Sequence, residues 1–223
     1  MARALGELLV TVGAVLLLFV VYEVYVTDFL TEQRQAELTD ELHAEWADDP
    51  PVPGAQVPGD AIAVLYVPRL GADYRQVVLE GTAEEQLSQG PGHYVGTALP
   101  GEQGNLAVAG HRVGKGSPFL ELDTLRPGDP IVVETADSWF TYRVLPFDGD
   151  VPGQQIVRPT QVDVIAPVPG GEAFGEPDGA YLTLTTCHPR FSAEQRLVVH
   201  AALDGAPVLK ADAPDGPPAV RDR

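Results

Sequence analysis

The sequence predicts an all-β domain, a closed barrel or a sandwich, preceded by one N-terminal membrane-spanning helix. Three observations carry this reading. Short runs rich in Val, Ile, Leu, Thr and Tyr recur between Pro- and Gly-containing turns. The 223-residue chain holds 23 Gly and 21 Pro, a content that favours turns over long helices. The stretch from Leu8 to Val26 is apolar apart from Thr11 and one charge at Glu23, close to the roughly 20 residues needed to cross a bilayer core.

The N-terminal stretch lacks a small-x-small cleavage site at its end, where Tyr22, Glu23 and Tyr25 stand, and the tyrosines suit a membrane interface. It is therefore expected to remain as an anchor, residues 1–27. Arg3 precedes it, whereas Asp28, Glu32, Glu37 and five further carboxylates up to Asp49 follow it against Arg34 alone. That asymmetry puts the N-terminus in the cytoplasm and the bulk of the chain outside. Thr27 to Trp46 contains no Gly or Pro and is expected to continue as a polar helix. Pro50, Pro51, Pro53 and Pro58 make the next segment an extended spacer, so 28–60 reads as an acidic, Pro-rich linker that holds the domain off the membrane.

The folded domain, 61–204, begins with the buried-strand pattern Ile62–Val67, closed by Pro68. Thr82-Ala-Glu-Glu85 is a capping-box pattern for a short helix through Leu87 and Ser88. Further strands are expected at Asn105–Ala109, Ile131–Thr135, Trp139–Leu145, Val162–Ile165, Tyr181–Cys187 and Leu197–Leu203. Turns such as Leu99–Gly104 and Arg126–Pro130 separate them. The segment 205–223, rich in Pro, Asp and Gly, is expected to be disordered.

A formal net charge of -18, from 14 Lys and Arg against 32 Asp and Glu, argues against nucleic acid as a partner, because phosphate binding needs basic patches. The histidines are scattered and the single cysteine stands apart, so no metal site or cofactor is expected. A lone cysteine in an exported domain has no intrachain disulfide partner; it is an intermolecular bridge, an inert core residue or a working thiol.

Cys187 ends a strand just before a turn at Pro189, and alternation sets it on the face opposite Leu182 and Leu184. A thiol of ordinary pKa, about 8.5, needs a histidine or cation beside it to react at neutral pH. Of the five histidines, His43 reads as solvated and His200 as a packed structural residue. His188, next to Cys187, points to the other face. His111 ends the strand from Asn105, follows Gly110 and precedes Arg112 and a Gly-rich loop, so it is the candidate base. Arg196, at the head of the last strand, is the candidate oxyanion donor, though on its own it reads more readily as a surface ion pair with an acidic neighbour such as Glu194.

The segments Asn105-Leu-Ala-Val-Ala-Gly-His111-Arg112 and Thr183-Leu-Thr-Thr-Cys187, with Arg196 heading the next strand, resemble the three signature segments of sortases, the cell-wall transpeptidases of Gram-positive bacteria. Gln89–Gly101 and Leu122–Asp129 are similar to that family as well, so the resemblance covers Ile62 to about Leu203. Cys187-His-Pro-Arg-Phe and the Tyr94 segment are most like class E sortases of actinobacteria. The resemblance implies a closed eight-stranded β-barrel with short helices. It implies Cys187 as nucleophile, His111 as general acid and base, and Arg196 as the residue that positions the signal and steadies the oxyanion.

The implied partners are surface proteins carrying Leu-Ala-x-Thr-Gly or Leu-Pro-x-Thr-Gly signals and an amine of a cell-wall precursor or a pilin. Tyr94 and Thr186 are the candidate substrate-binding residues. Two other readings share the same placement outside the membrane: a membrane-anchored cysteine peptidase that releases its product to water, and a non-catalytic surface-binding barrel with an incidental thiol.

Overall fold

A computed structural model describes residues 2–22, 27–48 and 59–221. Ten strands form one sheet: β1 (Ala61–Tyr66), β2 (Arg75–Glu80), β3 (Gly92–His93), β4 (Gly104–Ala109), β5 (Pro130–Glu134), β6 (Ser138–Val144), β7 (Gln154–Val157), β8 (Ala180–His188), β9 (Gln195–Leu203) and β10 (Val208–Leu209). Eight of them close into a barrel in the order β6-β5-β1-β2-β3-β4-β8-β9, with the β6–β9 pairing as the seam. Of the alternatives left open by the residues alone, the barrel is therefore the one adopted. Closure removes the exposed edges that an open sheet presents. β10 and β7 lie outside the ring, β10 on the first half of β6 and β7 on the first half of β9.

Alternation fills the barrel. Leu106 and Val108 of β4, Leu182 and Leu184 of β8, and Leu197, Val199 and Ala201 of β9 point inward to meet Val78, Phe119, Ile131 and Tyr142. Burial of each large side chain contributes about 1.5–3 kcal/mol.

The helices are α1 (Ala2–Val21), α2 (Thr27–Asp48), α3 (Glu84–Leu87) and α4 (Pro218–Arg221). Among the described residues no helix is both long and apolar enough to cross a membrane. The expected anchor, Leu8 to Val26, is represented by α1 as far as Val21, and its end at 23–26 lies outside the described residues.

α2 forms where a polar helix is expected, but it is not part of a stand-off spacer. Leu38, Leu42 and Trp46 stand at i, i+4 and i+8 and pack on Val64, Tyr66, Val77, Leu79, Val132 and Trp139 on the outside of the barrel. The buried Gln35 accepts from Val77 N–H at 2.6 Å and donates to Gln89 C=O at 2.8 Å. Its carboxamide stands in for a strand partner where β2 has not yet met β3. The proline-rich stretch from Asp49 to Pro58 lies outside the described residues.

Other expectations are corrected. Val162–Ile165 is a 3-10 turn, not a strand, because Asn105 Nδ2 donates to the Val164 and Ala166 carbonyls and leaves no ladder for them to join. α3 starts at Glu84 with Ala83 as its cap, and Thr82 plays no capping part. The expected disordered tail is held in place through Arg221: Val208 and Leu209 pair with Trp139 and Ser138, and Trp139 Nε1 donates to Ala213 C=O.

Candidate active site

The site is built from the ends of three neighbouring strands. β4 and β8 are parallel, with Ala107 beside Thr183 and Ala109 beside Thr185, and Gly110 N–H donates to Thr185 C=O at 3.0 Å, one step past the end of β4. Extending that register by two residues past the end of β4 aligns His111 with Cys187. β8 and β9 are antiparallel, and Cys187 stands directly opposite Arg196. Directly opposed residues share a face with Cβ atoms about 4.5–5.5 Å apart. The register sets Cys187 and Arg196 side by side on the outer face, behind which Leu184 and Leu197 face the core.

Cys187 is a free thiol and half-buried. His111 is half-buried as well, and its Nε2 is enclosed with no hydrogen-bond partner among the described residues. Burial lowers the His111 pKa below its ordinary value; Glu84 opposes this and Lys115 adds to it. At neutral pH the imidazole is therefore mostly uncharged and able to accept a proton. Arg196 anchors one arm of its guanidinium, with Nη1 donating to the Ala193 and Gln195 carbonyls at 2.9 and 3.0 Å.

Tyr94 is half-buried, and its hydroxyl meets Thr185 Oγ1 at 3.0 Å, two residues before the thiol. Its neighbours Val95 to Ala98 line one wall of a cavity of about 550 Å³, with Asn105 as its floor and Val162, Ile165 and Pro177 opposite. None of His111, Cys187 and Arg196 lines that cavity. Thr186 is not on the Cys187 face. It is 3% exposed and donates to Gly110 C=O at 2.8 Å, which turns its hydroxyl away from any groove; alternation with Leu182 and Leu184 is the physical reason.

The remaining histidines are elsewhere. His200 is fully buried between Thr183 Oγ1 and Gln155 Nε2, as its mid-strand position predicts. His93 is buried against Glu80 at 2.6 Å. His43 is not simply solvated: its Nε2 lies 3.1 Å from the buried Glu134 carboxylate, because α2 docks. Among the described residues no three His, Cys, Asp or Glu side chains converge as a metal site. The sequence analysis names Arg112 only as the residue after His111 and assigns it no role; it is 3% exposed.

A sortase-domain family model matches residues 65–204. The chain belongs to the sortase family. It is 37% identical over 208 residues to sortase SrtE1 of Streptomyces coelicolor, covering 89% of this chain and 56% of that protein. It is 35% identical to SrtE2 of the same organism, covering 89% and 80%. The chain thus spans little more than half the length of SrtE1.

Among solved structures, the sortase E of Streptomyces avermitilis is 42% identical with a TM-score of 0.62, covering 74% of this chain and 99% of that one. The SrtF sortase of Corynebacterium diphtheriae is 37% identical with a TM-score of 0.72, covering 77% and 97%. Sortases are cysteine transpeptidases, and the similarity to sortase E proteins makes this a class E-like member.

Proposed function

We propose that this chain is a membrane-anchored sortase that cleaves a C-terminal sorting signal between Thr and Gly and transfers the protein to an amine. Cys187 is the nucleophile, His111 the general acid and base, and Arg196 the oxyanion donor. The observation that carries these roles is the pairing of Cys187 directly opposite Arg196, with His111 two residues past the end of the neighbouring parallel strand β4. The unpartnered His111 Nε2 supports them, since a buried ring nitrogen without a partner is one that a substrate or thiol proton completes.

The chemistry follows from those roles. His111 takes the Cys187 proton, and Sγ attacks the Thr carbonyl carbon, moving charge onto an oxygen that the free arm of Arg196 stabilises. The imidazolium returns the proton to the Gly nitrogen as the C–N bond breaks, which leaves a thioester on Cys187. An incoming amine gives its proton to His111 as it attacks; the Cys187 thiolate then leaves and the new amide is complete.

The 550 Å³ cavity beside Tyr94 is the binding region for the residues that precede Thr, and Tyr94 lies between it and the thiol. The structure of sortase E1 from Streptomyces coelicolor holds a tripeptide in its active site, which favours a peptide ligand here. Leu8, Leu9, Val10, Leu16, Leu17, Leu18 and Phe19 of α1 are all more than half exposed, which suits a lipid environment; with 23–26 they form the anchor in this reading, residues 1–27. The catalytic unit, 61–204, then lies outside the cytoplasmic membrane. Its partners are signal-bearing surface proteins and an amine of a cell-wall precursor or pilin.

Product analysis tests this reading. The detergent-solubilised chain is incubated with Leu-Ala-x-Thr-Gly and Leu-Pro-x-Thr-Gly peptides, with and without a glycine-based amine. Cleavage after Thr with an amide product only when amine is present is expected. Equal hydrolysis with and without amine identifies a peptidase instead, and no cleavage by the folded chain removes the enzymatic reading.

A further inference from the structure

Arg112 follows His111, and His188 follows Cys187. Cys187 and His188 are successive residues of β8 and point to opposite faces. Arg112, in the turn after β4, meets His188 on the face behind the thiol: Arg112 Nη1 lies 3.3 Å from His188 Nδ1. Arginine only donates, so His188 Nδ1 is the acceptor in this contact.

The other arms of the guanidinium reach a third segment. Nε donates to Leu120 C=O at 3.2 Å, and Nη2 pairs with Asp123 Oδ2 at 3.0 Å. Arg190, in the turn after His188, pairs with Glu121 at 2.9 Å and approaches Asp123 at 3.8 Å. One buried cation therefore ties the turn after β4, the end of β8 and the 3-10 segment Leu122–Thr124 together. Burying a guanidinium adds little to stability that an apolar side chain of the same volume would not supply. Its value lies in what it fixes.

We propose that Arg112 is a positioning residue for acyl transfer: by clamping His188 it holds the His111 turn against the Cys187 strand end. Its permanent charge contacts the residue next to the thiol. This rests on the roles proposed above for Cys187 and His111. The charged and titratable groups around the thiol are His111 from the β4 side, Arg196 from β9, His188 and Arg190 in its own turn, and behind them Arg112, Asp123 and Glu121.

The test compares Arg112→Met, which fills the space without an unpaired polar group, with Arg112→Lys, which keeps the charge but loses the fork. Three readings are taken on the full chain in detergent: thermal midpoint, kcat and KM with a sorting peptide, and the pH dependence of Cys187 alkylation by iodoacetamide. Arg112→Met is expected to fold, to lose about 10- to 100-fold in kcat with KM nearly unchanged, and to raise the Cys187 alkylation midpoint relative to the wild type. Arg112→Lys is expected to recover part of both.

A folded Arg112→Met with wild-type kcat and an unmoved midpoint overturns the inference, and so does Arg112→Lys behaving no better than Arg112→Met. A merely structural role lowers the thermal midpoint without moving the alkylation midpoint. If the wild-type chain cleaves no peptide, the sortase reading fails on its own, and the alkylation midpoints still decide whether Arg112 acts on the thiol.

Discussion

Cys187 and Arg196 are cross-strand partners, directly opposed in the β8–β9 ladder. The β-sheet fixes the separation of their backbones, which is what the proposed oxyanion role of Arg196 relies on. Arg196→Ala is expected to lower kcat by about 100- to 1,000-fold, the usual cost of losing one oxyanion donor. Arg196→Lys retains a charge on a point donor and is expected to fall between the two. Steady-state kinetics with a fluorogenic sorting peptide measures both.

His200 makes the fold sensitive to acid. Thr183 Oγ1 donates to Asn105 Oδ1 at 2.8 Å and so accepts from His200 Nδ1–H, while Gln155 Nε2 donates to His200 Nε2 at 3.0 Å. This chain of bonds needs a neutral ring, and burial pushes its pKa down to about 4 from 6.5. Below pH 6.5 the unfolded chain binds a proton that the native chain refuses, so stability is complete above that pH and is lost as pH falls from 6.5 toward 4. The loss is on the order of 3 kcal/mol, at 1.36 kcal/mol per pKa unit. Denaturant titrations at pH 7.5 and pH 5 should show it in the wild type, and a much smaller pH difference in His200→Gln.

Gln35 should matter to the barrel out of proportion to its place in an acidic helix. Gln35→Ala leaves Val77 N–H and Gln89 C=O buried without the amide that satisfies them. A loss of about 1–3 kcal/mol is expected for each group left unpaired. Urea unfolding checks it, with the exposed Glu37→Ala as the control expected to change little.

The C-terminal segment is part of the fold. Lys210 Nζ lies 2.7 Å from the buried Glu134 carboxylate, which also accepts from Tyr66 at 2.6 Å and meets His43 at 3.1 Å. Removing residues 205–223 strips β10 from β6 and takes the one permanent cation from Glu134. A fall of about 3–5 kcal/mol is expected, the usual result of breaking a buried pair from one side. An unchanged denaturation midpoint would show that the segment contributes nothing.

These features divide by how local their causes are. The strands at Asn105, Tyr181 and Leu197 were legible because alternation and flanking turns lie within a few residues, and with them came His111, Cys187 and Arg196. The tail was not, because Val208 and Leu209 gain order only from Ser138 and Trp139, some seventy positions away in sequence. α2 was legible as a helix, but its docking depends on an apolar outer barrel face at Val64, Val77 and Val132 that no single strand pattern announces. Val162–Ile165 has strand composition, and only the Asn105 side chain that takes its carbonyls decides otherwise. Arg112 was missed for the same reason: its partners come from two segments distant in sequence, Leu120–Asp123 and the end of β8 at His188.

The central claim is that the Cys187 sulfur carries the acyl group between donor and amine. Intact-mass and peptide mapping of the full chain, mixed with a Leu-Ala-x-Thr-Gly peptide and then chased with a glycine-based amine, tests it most directly. An adduct on Cys187 equal to the peptide up to Thr, absent in Cys187→Ala and discharged by the amine as an amide, is the expected result. A folded wild-type chain that forms the amide product with no adduct on Cys187, or a Cys187→Ala chain that still forms it, would contradict the account.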